Sequence, residues 1–237
     1  MKLIKKIIRY ILSPFIFFDY LKFKRGNDGR FSLKFFDFYP CIKDKTIKTN
    51  FDSHYIYHTS WAARKVKEIN PIKHIDISSS LFFSGIISAF VPVDFYDYRP
   101  ADLKLSGLIS KHADLTKLPF AEKSIDSLSC MHTVEHIGLG RYGDKIDPNA
   151  DLQAISELKR ILAVNGSLLF VVPVGKSKIE FNAHRIYSFE QVIDSFKELT
   201  LKEFTLITDS GDYIENADPK LVIDQKYGCG CFLFIKK

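Results

Sequence analysis

Leu3, Ile4, Ile7, Ile8, Ile11, Leu12 and Phe15 recur at i, i+3 and i+4 spacing, with Lys2, Lys5, Lys6 and Arg9 on the opposite face. This pattern predicts a basic amphipathic helix over 3–15, and the run PFIFF extends its apolar end. The turn formers Gly26, Asn27, Asp28 and Gly29 close this segment. The stretch FSLKFFDFYP that follows reads either as an edge strand or as an aromatic lid. A second helix is predicted from Asp52 or Ser53 as N-cap to a stop at Pro71, and it carries His54, Tyr55, Tyr57, His58 and Trp61.

Short apolar runs bounded by turn signals then alternate with helical periodicity. His74 to Ser78 reads as a first strand and Ala89 to Asp97 as a second; an apolar run ends just before Asp114, and Ile125 to Met131 forms another strand. A helix over about 150–162 aligns Leu152, Ile155, Leu158, Ile161 and Leu162 on one stripe. Asn165 and Gly166 turn the chain into SLLFVVPVG, whose nearly unbroken apolar character is that of a strand buried on both faces. Ser188 N-caps the next helix, with Gln191 completing a capping box. LTLKEFTLIT and GCGCFLFIKK are the last two strands, forming an antiparallel hairpin, and the acidic segment 209–227 between them is expected to be a surface loop or flap. The expected fold is an open α/β sheet, mostly parallel with an antiparallel last strand and helices on both faces, with a ligand at the strands' carboxyl ends.

Composition narrows the function without assigning it. A chain of 237 residues buries one full core. The division expected is a basic appendage over 1–50 and an α/β domain over 51–237. Residues 1–48 hold twelve Lys or Arg against four Asp, so the positive excess lies there and the remainder is net acidic. A nucleic-acid binder would carry that charge on the folded domain, so no nucleic-acid partner is expected. The apolar run at the start is too short to span a bilayer and lacks a small-residue cleavage site. Its helix either lies on an anionic membrane through residues 2–18, making a cytoplasmic protein peripheral to the inner membrane face, or packs on this protein's own core or a twin subunit. Cys41, Cys130, Cys229 and Cys231 show no framework spacing and are expected to be reduced.

DLTKLPFAEKSIDSLSCMHTVEHIG resembles the region of class I S-adenosylmethionine-dependent methyltransferases in which an Asp after the third strand faces the adenine. ELKRILAVNGSLLFVVPVG is similar to the helix, glycine turn and fifth strand that come next. With EHIGLGRYGDKIDP and FNAHRIYS, the stretch from about His74 onward resembles an uncharacterised bacterial methyltransferase-like family associated with surface-glycan synthesis. The resemblance implies a Rossmann-like sheet, S-adenosylmethionine as cofactor, and a glycan or glycolipid precursor as acceptor. It places Asp76, Ser78 and Ser80 at the loop after the first strand, Asp114 and Leu115 at the adenine, and His54 on a helix that helps close the pocket. Where the family has alternating glycines, this chain has Ser78, Ser80 and Phe82. Either the loop binds the same ligand through serine hydroxyls and a wider turn, or the nucleotide site has degenerated and the protein is a non-catalytic binding module.

The residues themselves supply candidate chemistry. Asp97 ends the second strand, where a carboxylate can accept from both ribose hydroxyls. His132-Thr-Val-Glu135-His136 fits the His-x-x-Glu-His zinc-peptidase pattern, but it follows a strand and is followed by Gly138, Gly140 and Gly143. No metal is therefore expected. His136, Glu135 and His184 are the candidate acid–base residues, because a neutral imidazole can take a hydroxyl proton and a carboxylate can orient it. His132 is assigned to the cofactor side. Arg141, Asp144, Arg185 and His54 are candidate substrate contacts, with Arg185 suited to a carboxylate or phosphate.

Overall fold

A computed structural model describes residues 14–42 and 44–237, and the chain divides into two compact units between Phe51 and Asp52. The predicted basic helix lies outside the described residues except for Pro14 and Phe15. In the first unit, helix α1 (Pro14–Arg25) buries Tyr20. The Tyr20 and Phe17 rings meet Phe38 edge-on, at 5.3 and 6.0 Å between centroids. FSLKFFDFYP forms no strand; it makes one 3-10 turn over Phe35–Asp37, in which Asp37 accepts from the Lys34 amide. No helix among the described residues is long and apolar enough to cross a membrane.

The second unit is built on one sheet. Helix α2 (Ser53–Ile69) starts where Asp52 accepts from the Tyr55 amide, and it ends at Asn70 in the left-handed region. Strand β1 (His74–Ile77), helix α3 (Leu81–Ile87) and strands β2 (Val93–Asp97), β3 (Leu108–His112) and β4 (Ile125–Met131) follow. Next come helix α4 (Ala150–Ile161), β5 (Leu162–Val174), the small hairpin β6 (Lys178–Glu180) and β7 (His184–Ile186), and helix α5 (Phe189–Ser195). Strands β8 (Leu199–Ile207), β9 (Tyr213–Ile214) and β10 (Gly228–Lys236) complete the chain. The sheet order is β3-β2-β1-β4-β5-β10-β8-β9.

β1 through β5 are parallel, and β10 runs antiparallel to both β5 and β8. The antiparallel last strand is thus present, inserted between its neighbours. Three boundaries differ from the sequence expectation. β2 begins at Val93 because Ala89 and Phe90 bond back to Ile86 and Ile87 and close α3. Asn165 and Gly166 form a bulge inside β5, where the pairing jumps from Ile125–Leu162 to Ser127–Ser167. The 209–227 segment contains the edge strand β9 and a 3-10 turn over Pro219–Asp224 that buries Val222.

Side chains alternate across the sheet. Ile75, Ile77, Leu128 and Phe170 join α4 and α5 on one face, while Phe95, Met131, Val171 and Cys231 join α2 and α3 on the other. Between β1 and β4 lies a buried polar chain. His74 Nδ1 and Nε2 bond the Ser127 and Ser129 hydroxyls at 2.8 and 2.9 Å, Ser129 donates to Asp76 at 2.6 Å, and Ser84 donates to the other Asp76 oxygen. Burial pushes the Asp76 carboxyl up to about 6 and the His74 imidazole down to about 3. Asp76 therefore belongs to the interior and not to a ligand surface: it is fully buried, and its oxygens are taken by serines of β4 and α3.

Candidate functional site

Two cavities open at the carboxyl ends of β1, β2 and β4. The upper one, about 440 Å³, is lined by Asp97, Asp114, Leu115, Ile137 and Gly138 among others. The lower one, about 560 Å³, is lined by His54, Tyr55, Glu135, Arg141, His184 and Tyr227 among others. Ser78, His132, His136 and Tyr142 line both, so the two cavities adjoin.

Asp97 and Asp114, which line the upper cavity, are each anchored by one oxygen. Asp97 Oδ1 accepts from the Arg99 amide at 2.7 Å, and Asp114 Oδ1 accepts from the Thr116 amide and hydroxyl. Neither Oδ2 has a hydrogen-bond partner among the described residues, which leaves an acceptor on each acid. Ser78 stands at φ 56°, the left-handed region where a glycine would be free of strain. Its amide and its hydroxyl both donate to the Tyr96 carbonyl, which holds the turn. Ser79 accepts from the Met131 amide, and Ser80 N-caps α3 while lining the lower cavity. Of the serine hydroxyls expected to face a ligand, Ser78's is thus committed to backbone.

The opposite wall is a loop held by polar anchors. Asp144 accepts from the amides of Gly138, Gly140 and Tyr142, which holds its carboxyl below the ordinary range against the opposing effect of burial. Asp144 therefore shapes the wall of the upper cavity, with both oxygens engaged by the loop's own amides. Arg185 is also a structural residue. Its guanidinium donates to the carbonyls of Ile137 at 2.6 Å and Pro148 at 3.2 Å, lies 3.6 Å from Asp151, and lines neither cavity. The two-residue alternation of β7 turns Arg185 inward and leaves its neighbour His184 on the lower cavity.

Five of the chain's seven histidines gather around the lower cavity with three tyrosines. His136 donates from Nδ1 to the Ala183 carbonyl at 2.7 Å, and this tautomer leaves Nε2 as the basic nitrogen. His184 packs on Tyr227 at 4.8 Å, and burial holds it below its ordinary value. Glu135 is fully buried; Oε1 lies 3.0 Å from His132 Nδ1 and 3.7 Å from His136 Nε2, and Oε2 has no partner. Burial opposes charge on His132, but Cys229 and Glu135 outweigh it and raise its pKa above the usual imidazole value. His132 Nε2 faces the Cys229 sulfur at 3.4 Å. The His-x-x-Glu-His pair does not form: after β4 the chain makes a 3-10 turn over Val134–His136, and His132 and His136 bond different partners.

The sequence reading missed Tyr227, Tyr142 and Cys229. Tyr227 and Cys229 reach the site only because β10 inserts beside β5, and no local spacing marks them. The thiols are free, as expected, with Cys130, Cys229 and Cys231 buried.

Residues 105–197, under half of the chain, match a family described as Caenorhabditis protein of unknown function, DUF268. That description concerns an animal genus, so it does not carry the bacterial family of the resemblance. No curated protein matches the chain. Three of the solved structures that share its fold illustrate the likeness. The YcgJ protein from Bacillus subtilis is 12% identical, with 77% of this chain and 99% of that one covered at a TM-score of 0.54. A TehB-like SAM-dependent methyltransferase from Corynebacterium glutamicum is 17% identical, with 74% and 87% covered at 0.52. A geranyl diphosphate methyltransferase in complex with SAM is 9% identical, with 76% and 85% covered at 0.53. The fold is the class I, Rossmann-like methyltransferase sheet, with helices on both faces and β10 antiparallel.

Proposed function

We propose that this chain transfers a methyl group from S-adenosylmethionine to a hydroxyl of a polar acceptor, with a surface-glycan or glycolipid precursor as the acceptor class. The observation that carries this reading is the pair of adjoining cavities, two half-free carboxylates in one and basic imidazole in the other. The residues fit the cofactor: Ser78 keeps the backbone shape that a glycine would give, and the unpartnered Oδ2 atoms of Asp97 and Asp114 are placed to accept hydrogen bonds from a nucleoside. When bound, S-adenosylmethionine supplies an electrophilic methyl group. Asp97 would hold the ribose hydroxyls, with Asp114 and Leu115 at the adenine. Arg141 and His54 would hold the acceptor in the lower chamber, against the faces of Tyr55 and Tyr227. His136 Nε2 would take the acceptor's hydroxyl proton, with the Ala183 carbonyl orienting that ring through Nδ1, the Glu135 carboxylate stabilising the imidazolium formed, and His184 beside it. Holding nucleophile and methyl group together where the two cavities adjoin would supply most of the acceleration.

Calorimetric titration with S-adenosylhomocysteine tests the cofactor half. Micromolar binding is expected, weakened roughly 10–100-fold in Asp97→Ala and in Asp114→Ala by loss of a charge-assisted hydrogen bond. No binding at millimolar ligand would sink the reading. It would favour the non-catalytic module, for which the committed Ser78 hydroxyl already speaks.

The membrane half of the reading rests on α1, where Phe15, Phe18 and Phe23 are exposed beside Lys22, Lys24 and Arg25. Full-length protein is expected to pellet with anionic vesicles at low salt, and a chain lacking residues 1–21 is expected to stay in the supernatant. Equal pelleting of the two would remove that helix as the anchor.

A further inference from the structure

Among the described residues one group of three side chains brings metal-binding atoms together. His54 comes from the first turn of α2, His132 from the exit of β4 and Cys229 from the start of β10, and one ligand atom from each lies within 4.8 Å of the others. We propose that His54, His132 and Cys229 bind a divalent metal ion of the zinc type, with a fourth coordination position facing the lower cavity. Two imidazoles and one thiolate form a donor set that selects such an ion over hard, oxygen-loving cations. Three protein ligands with one open position is the pattern of reactive zinc sites and not of closed structural ones.

The surroundings are those of a metal site. His132 Nδ1 is held at 3.0 Å by the Glu135 carboxylate, which directs Nε2 to the Cys229 sulfur at 3.4 Å. A carboxylate bonded to the far nitrogen of a ligand imidazole is the usual outer-shell arrangement, fixing its tautomer and raising its basicity. Glu135 is fully buried with Oε2 unpartnered, a costly state that a nearby cation offsets. The His58 ring packs edge-on to that of His132, with centroids 4.9 Å apart. His54 and His132 line the lower cavity, which gives the ion a route in. On binding, Cys229 releases its thiol proton, and an imidazolium at His132 releases one more, both to solvent.

Metal binding stands apart from the methyl-transfer reading. If that reading holds, an acceptor oxygen at the fourth position would lose its proton more readily. The test uses the full chain, stripped with chelator and titrated with cobalt(II), without any nucleoside. Stoichiometric uptake is expected, with a sulfur-to-cobalt charge-transfer band in the near ultraviolet. Cys229→Ser should lose the band, while His54→Ala and His132→Ala weaken uptake by more than the roughly 10–100-fold expected for the outer-shell variant Glu135→Gln. His136→Ala should bind as the wild type does. No uptake by the wild type, no sulfur band, or uptake lost in His136→Ala but kept in His54→Ala would each overturn the proposal. Circular dichroism checks each variant's fold, and the wild-type spectrum decides even if Cys229→Ser does not fold. S-adenosylhomocysteine binding is read separately, so either idea can fail alone.

Discussion

Gly138→Ala is expected to lower the melting temperature by roughly 6–12 °C, corresponding to about 3 kcal/mol, and to abolish binding in the upper cavity. Gly138 sits at φ 80°, where a Cβ would stand 2.1 Å from the Asp147 carbonyl oxygen and 2.7 Å from the Ala150 Cβ. The left-handed backbone alone costs an alanine about 1–2 kcal/mol, and forcing the loop off Asp147 adds about 1–3 kcal/mol. The shift would loosen the Asp144 clasp on the Gly138 amide and the Arg185 clasp on Ile137, which together set the cavity wall. Gly143→Ala is the comparison: its φ is 87°, but a Cβ there meets nothing within 4 Å. Thermal melts should show Gly138→Ala as the worse by a clear margin. Equal losses would mean that backbone conformation alone, and not the clash, governs the loop.

The second large effect is acid sensitivity from His74. Burial pushes this imidazole down to about 3, against 6.5 for an unhindered histidine. The unfolded chain binds the proton readily below 6.5 and the folded chain does not until about 3, so stability is lost as pH falls through that window. His74→Gln keeps a donor and an acceptor for Ser127 and Ser129. It is expected to be about 1–3 kcal/mol less stable near neutrality because its geometry is poorer. Having no proton to refuse, it should lose about 3 kcal/mol less than the wild type between about pH 7 and pH 4. Asp76 contributes with the opposite sign: its raised carboxyl takes up a proton near 6 in the folded state, which favours the folded chain as pH falls and softens the wild-type profile. Parallel stability–pH curves for the two proteins would show that the buried imidazole is not the sensor.

Elements whose signals are local were readable in advance. Asp52 caps α2, and Ser188 and Gln191 form their box at α5, because a cap needs only a few consecutive residues. Ile125–Met131 was marked by its turn boundaries. The start of β2 was misplaced because Ala89 and Val91 are as apolar as a strand while serving the close of α3. That Asp97 and Asp114 would reach one cavity was legible because a parallel sheet puts strand exits on one edge. Arg185 was not, since the β6–β7 hairpin that turns it inward has no signature in its composition. His54, His132 and Cys229 are far apart in the chain, and only the crossover that seats β10 beside β5 brings them together. Asp76 failed for a different reason: alternating polar residues ordinarily mark a wet face, whereas here both faces of β1 are covered.

That buried chain of His74, Ser127, Ser129, Ser84 and Asp76 has a consequence for how the sheet assembles. Apolar strands tolerate sliding, because one valine or isoleucine packs much like the next. Hydroxyls, imidazole and carboxylate do not, because their partners lie at fixed heights across β1, β4 and α3. A one-residue slip of β1 would turn His74 and Asp76 toward α4 and α5 and leave three serines facing isoleucine. Such a misaligned sheet would carry several stranded polar groups, a penalty large enough to reject it. The same groups that make the protein sensitive to acid thus act as a key, admitting one alignment of the central strands and thereby setting the height at which Ser78 and His132 emerge.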